Sequence, residues 1–556
     1  MTTPAPEGGK ARRAAGYLVT GLALLLLWVA FVAPRPVLGW SPTPLALLRI
    51  PAEGILIVAA LLVLRGRARR WLEVVVGVLL ATLLLVRLLD AGFLTTLYRP
   101  FNPITDWRYV GSAKDLVGDS VGPFAALLAV VGAALLGVGL LVVMPLALRR
   151  LGRLVDRHRT GALRSVVGAA IVWVACLSLG VGATSDLPVA SASTAGLAVH
   201  EATTVRDGLH DRAVFAEQIP VDPLRDTPPA DLLTALRGKD VVIVFVESYG
   251  KVAVTQSPDV SAALSVGTKD LAGAGYSMRS AWLTSPTFGG VSWLAHSTLQ
   301  SGLWVDSQQR YDQLLDAEPH GTKRLTLARA FAEAGWHTVD VIPANRRDWP
   351  EGIAFYGYDH VYDARTLGYS GPGFGYGPMP DQYTLSAFDR LELARPAQGS
   401  RRPVMAEIDL VSSHVPWAPL PRLVDWSAVG NGSVFDAQAG RATPRDVVWS
   451  SPAGVRTAYG QTIAYSIDSV VSFLRHTHDD NLVVVMLGDH QPISLVSGDN
   501  ASHDVPVAVI ARDPSVLERI HSWGWQTGLR PGIGAPVWPM DRFRNRFLTA
   551  YGPQGG

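Results

Sequence analysis

The 556-residue chain has a single cysteine, Cys176, set within an apolar run. No intrachain disulfide and no cysteine-ligated zinc site is open to it, so its stability must come from core packing, and any bound metal must be held by oxygen and nitrogen donors. Charged residues are scarce too, at 17% against a hydrophobic share of 48% and a mean hydropathy of +0.22. Part of that apolar mass is expected to meet lipid. The formal charge of +2 hides an asymmetry: residues 1–184 carry 19 Lys and Arg against 8 Asp and Glu, and the remainder is net acidic. The acidic part lacks a basic tract interleaved with aromatics, which argues against a nucleic-acid partner.

What is present first is a set of long apolar stretches near 16–34, 43–64, 71–97, 122–148 and 163–184. A helix rises 1.5 Å per residue, so each is read as one crossing of a bilayer, five in all. The second is the weakest, because Arg49, Pro51 and Glu53 interrupt it. Basic residues collect in alternate connections. Lys10, Arg12 and Arg13, then Arg65, Arg67, Arg69 and Arg70, then Arg149, Arg150, Arg153, Arg157, Arg159 and Arg164 face Arg35, Arg99, Arg108 and Lys114 on the other side. The positive-inside rule makes the N-terminus cytoplasmic, and an odd number of crossings places everything past about residue 185 outside the cell, in a multi-pass protein of the cell membrane. Arg87 and Asp90, one turn apart near the outer end of the third stretch, are either an intramembrane pair or residues snorkelling to the interface.

Residues 185–237, rich in Ala, Ser, Thr, Pro and Asp, are expected to form a linker ahead of a catalytic domain over 238–556. There the pattern changes. Val241-Val-Ile-Val-Phe-Val246 is an uninterrupted run suited to a strand buried on both faces, and similar runs recur at 338–342, 404–410, 482–487 and 505–510. Helical patterns separate them, which predicts an α/β domain with a largely parallel sheet. Ligands gather at the carboxyl ends of such strands. The residues found there are Glu247, Ser412-Ser-His414 and Asp489-His490, and carboxylates and imidazoles converging on neighbouring strand ends suit a divalent cation.

Phe245-Val-Glu247-Ser-Tyr249, Ser413-His414-Val-Pro416-Trp417, Tyr465-Ser-Ile-Asp468 and Gly488-Asp489-His490 together resemble the membrane sulfatase-like enzymes of the alkaline phosphatase superfamily, among them lipoteichoic acid synthases and phosphoethanolamine transferases. The resemblance spans about residues 238–512. It implies an extracytoplasmic domain with a divalent metal (Mn, Mg or Zn) bound by Glu247, Asp489 and His490 together with a hydroxyl nucleophile. That nucleophile belongs at a helix N-terminus, where the dipole favours an incoming anion. Thr287-Phe-Gly-Gly290-Val-Ser292 followed by a helical stretch ending at Gly302 supplies such a place, with Ser292 the choice and Thr287 the alternative. The ten residues from Ser292 to Gly302 are similar to the nucleophile-to-glycine distance of sulfatase signatures, but Leu294 and His296 stand where those signatures need Pro and Arg. Formylglycine formation is thereby disfavoured, and an unmodified hydroxyl attacking phosphorus is the better expectation.

His414 is the candidate for contacting phosphate and protonating the leaving group, and Arg346, Arg347 and Trp349 are candidates for binding the headgroup. His503 is a candidate for a second metal. The Gly-rich tract 368–377 has neither the ending nor the following helix of a phosphate-binding loop and is read as an aromatic loop near the site. The expected activity is transfer or hydrolysis of a phosphate-linked headgroup through a phospho-serine enzyme. A membrane phospholipid or lipid-linked donor and an envelope glycan or lipid acceptor are the expected partners. The alternatives are a sulfatase or phosphatase, and a non-catalytic glycan-binding envelope protein.

Overall fold

A computed structural model describes residues 8–33, 44–97, 101–103, 106–108, 123–184, 187–317, 324–394, 401–477, 479–498 and 500–553. Arg35, Arg99 and Lys114, used above to argue topology, lie outside these residues. The chain divides into two compact units, residues 1–211 and 212–556.

The first unit contains α1 (Gly8–Val32), α2 (Ala52–Val63), α3 (Gly66–Leu97), α4 (Pro123–Arg157), α5 (Arg159–Ser178) and the start of α6 (Ser193–Gln218). Among the described residues four helices are long and apolar enough to cross a membrane, rather than the expected five. The second stretch falls short because Pro51, lacking an N–H and fixing its own φ, sits in an extended pair with residues 190–191 and delays the helix to Ala52. The resulting 12-residue helix is about 18 Å long, against about 30 Å of hydrocarbon. Its two ends are nevertheless tied to different places. Arg49 donates to the Val32 carbonyl at the end of α1 (3.1 Å), and Arg159, at the start of α5, donates to the Leu62 carbonyl (2.9 Å).

The basic segments cluster at one end of the bundle. Arg69 of α3 pairs with Asp156 of α4 at 2.7 Å, and Arg150 of α4 donates to Thr20 Oγ1 of α1 at 2.8 Å. At the opposite end Arg87, buried, donates to the Ala30 carbonyl (2.6 Å) and to Thr194 Oγ1 (3.3 Å), while Asp90 accepts from the Phe101 amide (2.9 Å). Leu27, Phe31, Leu80, Ala81, Met144 and Leu148 form the core where α1, α3 and α4 meet. Gly77 is required there, since a Cβ would lie 2.6 Å from the Pro145 backbone.

The second unit is built on a nine-stranded sheet. Its strands are β1 (Asp240–Val246), β2 (Ser277–Thr284), β3 (His337–Ile342), β4 (His360–Asp363), β5 (Val404–Leu410), β6 (Leu482–Gly488), β7 (Asp504–Ala511), and the short β8 (Gln526–Thr527) and β9 (Val537–Pro539). The order is β8-β2-β7-β6-β1-β5-β3-β4, with β9 also on β2. The five strands from β6 to β4 run parallel, and β7 is antiparallel to both β6 and β2, so the sheet is mixed but mostly parallel. Every residue of β1 and β6 is buried, which explains their continuous apolar runs. β2 and β4 escaped the sequence reading because Ser277-Met-Arg-Ser and His360-Val-Tyr-Asp mix polar and apolar residues at the margin of the sheet.

Over the span expected to be a linker, residues 193–218 form α6, and Phe215, Ile219, Leu232, Leu233 and Leu236 are buried in the core of the second unit. Arg324 closes this segment with bonds to the Ile219 and Val221 carbonyls.

Candidate metal centre

Three adjacent parallel strands, β6, β1 and β5, end on the same edge of the sheet, and each delivers part of one site. β1 ends at Glu247, which turns sharply because Ser248 adopts φ 57. That left-handed turn is held by the Ser248 amide donating to Asp489 Oδ1 (2.7 Å) and by Tyr459 OH donating to the Ser248 carbonyl (2.9 Å). β6 ends at Gly488, where a Cβ would stand 1.9 Å from the Tyr249 carbonyl oxygen, so only glycine lets the two strand ends approach. β5 runs into Ser413, whose hydroxyl donates to the Glu247 carbonyl (2.6 Å).

The fourth part comes from the loop before α7 (Ser292–Ser301). Gly289, Gly290 and Val291 all have positive φ, and the loop is tied to the end of β6 by the Gly289 amide donating to the Gln491 carbonyl at 2.9 Å. Gln491 is therefore an organising residue: its side chain also accepts from the Val252 amide and donates to the Ser502 carbonyl. The loop presents Ser292 at the first position of α7, where its Oγ donates to Glu247 Oε2 (2.9 Å) and lies 3.2 Å from His490 Nε2. Thr287 is not brought into this group; its hydroxyl donates to the Gly290 carbonyl at 2.6 Å and so closes the loop.

Glu247, Asp489 and His490 form a cluster with the separations a metal site requires. His490 Nε2 stands 3.4 Å from Glu247 Oε1 and 3.5 Å from Asp489 Oδ2. Four donors about 2.1 Å from an ion in a tetrahedron would lie about 3.4 Å apart. His490 Nδ1 faces the Gln491 carbonyl at 2.8 Å and donates to it, which leaves the Nε2 lone pair aimed at two carboxylate oxygens. A lone pair facing anions, with all three side chains buried, is the arrangement that a cation resolves. These residues therefore fit a divalent metal. Without one, the cluster divides its charge unequally. Burial and the Glu247 charge push the Asp489 carboxyl up to about 7; burial also disfavours ionised Glu247, but when a proton rather than a cation sits on the facing nitrogens, positive charge on the His490 and His414 rings outweighs it and holds that carboxyl down at about 2.

His414 borders the same space, close enough for its charge to act on Glu247. Its Nδ1 donates to the Val415 carbonyl (2.6 Å), freeing Nε2, and its ring stacks on Tyr376 at 3.6 Å. The Gly-rich loop thus contributes an aromatic wall. Arg346 is exposed and acts electrostatically on Tyr376, which puts it on the rim of the site. Arg347 is exposed on the same turn, whereas Trp349 packs against Tyr356 and roofs Gly352. His503 joins neither metal-type cluster among the described residues; it contacts the Ser285 carbonyl and the Phe288 ring.

No family model and no curated protein matches the chain. Among solved structures it is similar to the lipoteichoic acid synthase LtaP from Listeria monocytogenes, at 16% identity over 61% of this chain and 78% of that one, with a TM-score of 0.38. It is also similar to the phosphoglycerol transferase GacH of Streptococcus pyogenes in complex with sn-glycerol-1-phosphate, at 15% identity over 55% and 74%, TM-score 0.33. A third is the C-terminal periplasmic domain of EcEptC from Escherichia coli, at 10% identity over 56% and 82%, TM-score 0.36. Identities this low leave the chemistry to be argued from the side chains themselves.

Proposed function

We propose that this chain is a membrane-anchored phosphotransferase that moves a phosphate-linked headgroup from a membrane lipid to an envelope glycan or lipid through a phospho-Ser292 intermediate. The observation that carries this reading is the placement of Ser292 Oγ, at a helix N-terminus, within 2.9 Å of Glu247 and 3.2 Å of His490 on two neighbouring strand ends. A divalent cation held by Glu247, Asp489, His490 and the Ser292 hydroxyl would lower the hydroxyl's pKa and offset charge on the phosphoryl oxygens.

The remaining work falls to the chain's own groups. Ser292 Oγ attacks phosphorus; the Oγ–P bond forms as the P–O bond to the lipid alcohol breaks, and the hydroxyl proton is given up to solvent, since Glu247 is held down too far to keep it. The positive end of α7 stabilises charge on the transferring group. His414, with Nε2 free, protonates the departing alkoxide. It then takes the proton of the acceptor hydroxyl, whose oxygen forms a new bond to phosphorus and releases Ser292. Arg346 and Arg347 bind headgroup charge at the rim. A cleft of about 640 Å³ lined by Trp417, Arg422, Arg441 and Gln461 begins three residues beyond His414 and offers room for the acceptor.

Topology supports a lipid donor. α1, α3 and α4 meet with their basic ends together, and α2 connects the far end of α1 to the near end of α5 despite its length. Counting α2 as a crossing gives five traverses, a parity that supports a second unit outside the cell, where phospholipid headgroups are available and ATP is not. The test is peptide mass spectrometry on protein trapped with a phosphatidylglycerol or phosphatidylethanolamine donor. Phosphate or phospho-headgroup on Ser292 supports the reading; an aldehyde at that position would restore the sulfatase, and modification of Thr287 would move the nucleophile.

A further inference from the structure

One turn beyond Ser292 on α7, a second group of side chains is buried behind the first. His296 Nδ1 lies 2.9 Å from Glu407 Oε1 and 3.4 Å from Asp409 Oδ1, and the imidazole is stacked on Phe245 at 3.7 Å. Glu407 and Asp409 are alternate residues of β5, and Asp340, on adjacent β3, is buried close enough for both carboxylates to act on it. We propose that His296, Glu407 and Asp409 form a second divalent-cation site, distinct from the centre at Glu247, Asp489 and His490.

Three observations carry this. The donor atoms of the three residues lie within 4.8 Å of one another, and the measured edges of 2.9 and 3.4 Å match those of a coordination polyhedron around an ion about 2.1 Å away. The hydrogen bonding is incomplete without an ion. Nδ1–H can serve one carboxylate, and it serves Glu407, whose other oxygen is bound by Gln300 Nε2 and by Tyr358 OH at 3.1 Å; Asp409 Oδ1 is left buried with no hydrogen-bond partner.

The third is charge. Asp340, Glu407 and Asp409 face one imidazole, so even a protonated His296 leaves two excess negative charges in a buried place, where a dication would leave one. One nitrogen and two carboxylate donors suit Mn²⁺ or Zn²⁺ better than an all-oxygen cation. Bound there, the ion would tie the helix that carries Ser292 to the sheet.

The test counts metal in the full-length protein in detergent, loaded with Mn²⁺ and dialysed. Wild type should retain about two ions per chain, and Asp409→Asn and His296→Gln should each retain about one with thermal unfolding still cooperative. Asp409→Asn is the safer variant, because a quarter of that side chain is exposed (25%). Asp489→Asn should also fall to about one, and the double variant Asp409→Asn/Asp489→Asn to none. One ion in wild type, lost in Asp489→Asn and kept in Asp409→Asn, would overturn the second site and leave the first standing. No ion in wild type would sink both. Loss of both ions in folded Asp409→Asn would overturn the proposal and make Asp409 a support of the first centre.

Discussion

Asp489 carries two jobs on its two oxygens, and substitutions that separate them give the sharpest test of the centre. Oδ1 accepts from the Ser248 and His490 amides, both at 2.7 Å, and so holds the left-handed turn after β1; Oδ2 faces His490 Nε2 at 3.5 Å. Asp489→Asn keeps the Oδ1 acceptor and replaces Oδ2 with a donor that cannot ligate a cation. Asp489→Ala removes both and leaves two buried amides unpaired, at about 1–3 kcal/mol each. The Ala variant should therefore be less stable than the Asn variant by about 2–6 kcal/mol, read as a fall in Tm at matched conditions in EDTA. Both should lose the ion of this centre.

The pH dependence follows from the raised carboxyl. In metal-free wild type, Asp489 has a folded pKa of about 7, above the unfolded value of about 4, so the folded state binds the extra proton and stability declines as pH rises between those values. The Asn variant cannot show that decline. With EDTA present it should overtake wild type as pH rises toward 7. Metal retention in wild type should fall below pH 7, because the proton competes for the ligand. A metal content of Asp489→Asn equal to that of wild type, or equal stability of the Ala and Asn variants, would refute the division of labour.

Ser292→Ala should abolish the phospho-enzyme and lower turnover by at least about 10³-fold. Thr287→Ala should leave the phospho-enzyme detectable and cost about 1 kcal/mol of stability for its loop bond, measured by denaturant unfolding. Arg544→Met breaks a buried pair with Asp222 (2.7 Å, both side chains 0% exposed) that ties the segment after α6 to the helix Arg542–Tyr551, and should destabilise the second unit by about 3–5 kcal/mol in chemical denaturation. A reporter that is active only outside the cell should work when fused after residue 190 and stay silent when fused near Gly66; the reverse would overturn the five-traverse parity.

Local patterns in the chain were enough to place the apolar N-terminal helices and five of the seven longer strands, and to nominate Glu247, Ser292, Asp489 and His490, which the fold brings together. Each signal was short in range: a run of β-branched residues, an acid or imidazole just past it, two glycines before a helix. Such signals carry through because burial of a strand and the turn after it are decided within a few residues. The choice between Ser292 and Thr287 was different in kind, since both hydroxyls flank the same glycines and only the Gly290 carbonyl taking up Thr287 separates their positions.

Tertiary structure alone decided the rest. The strand order that sets β1 between β6 and β5, the reversal of β7 between β6 and β2, and the shortening of the second apolar stretch all depend on partners far away in sequence. His296 was visible only as a departure from a signature. Glu407 and Asp409 were hidden inside a strand that read as apolar, because alternate residues of one strand meet a helix turn more than a hundred positions away only when the sheet has formed. Sequence periodicity records which face is buried; whether a buried carboxylate finds an imidazole, an amide or an ion is settled by the packing of separate elements.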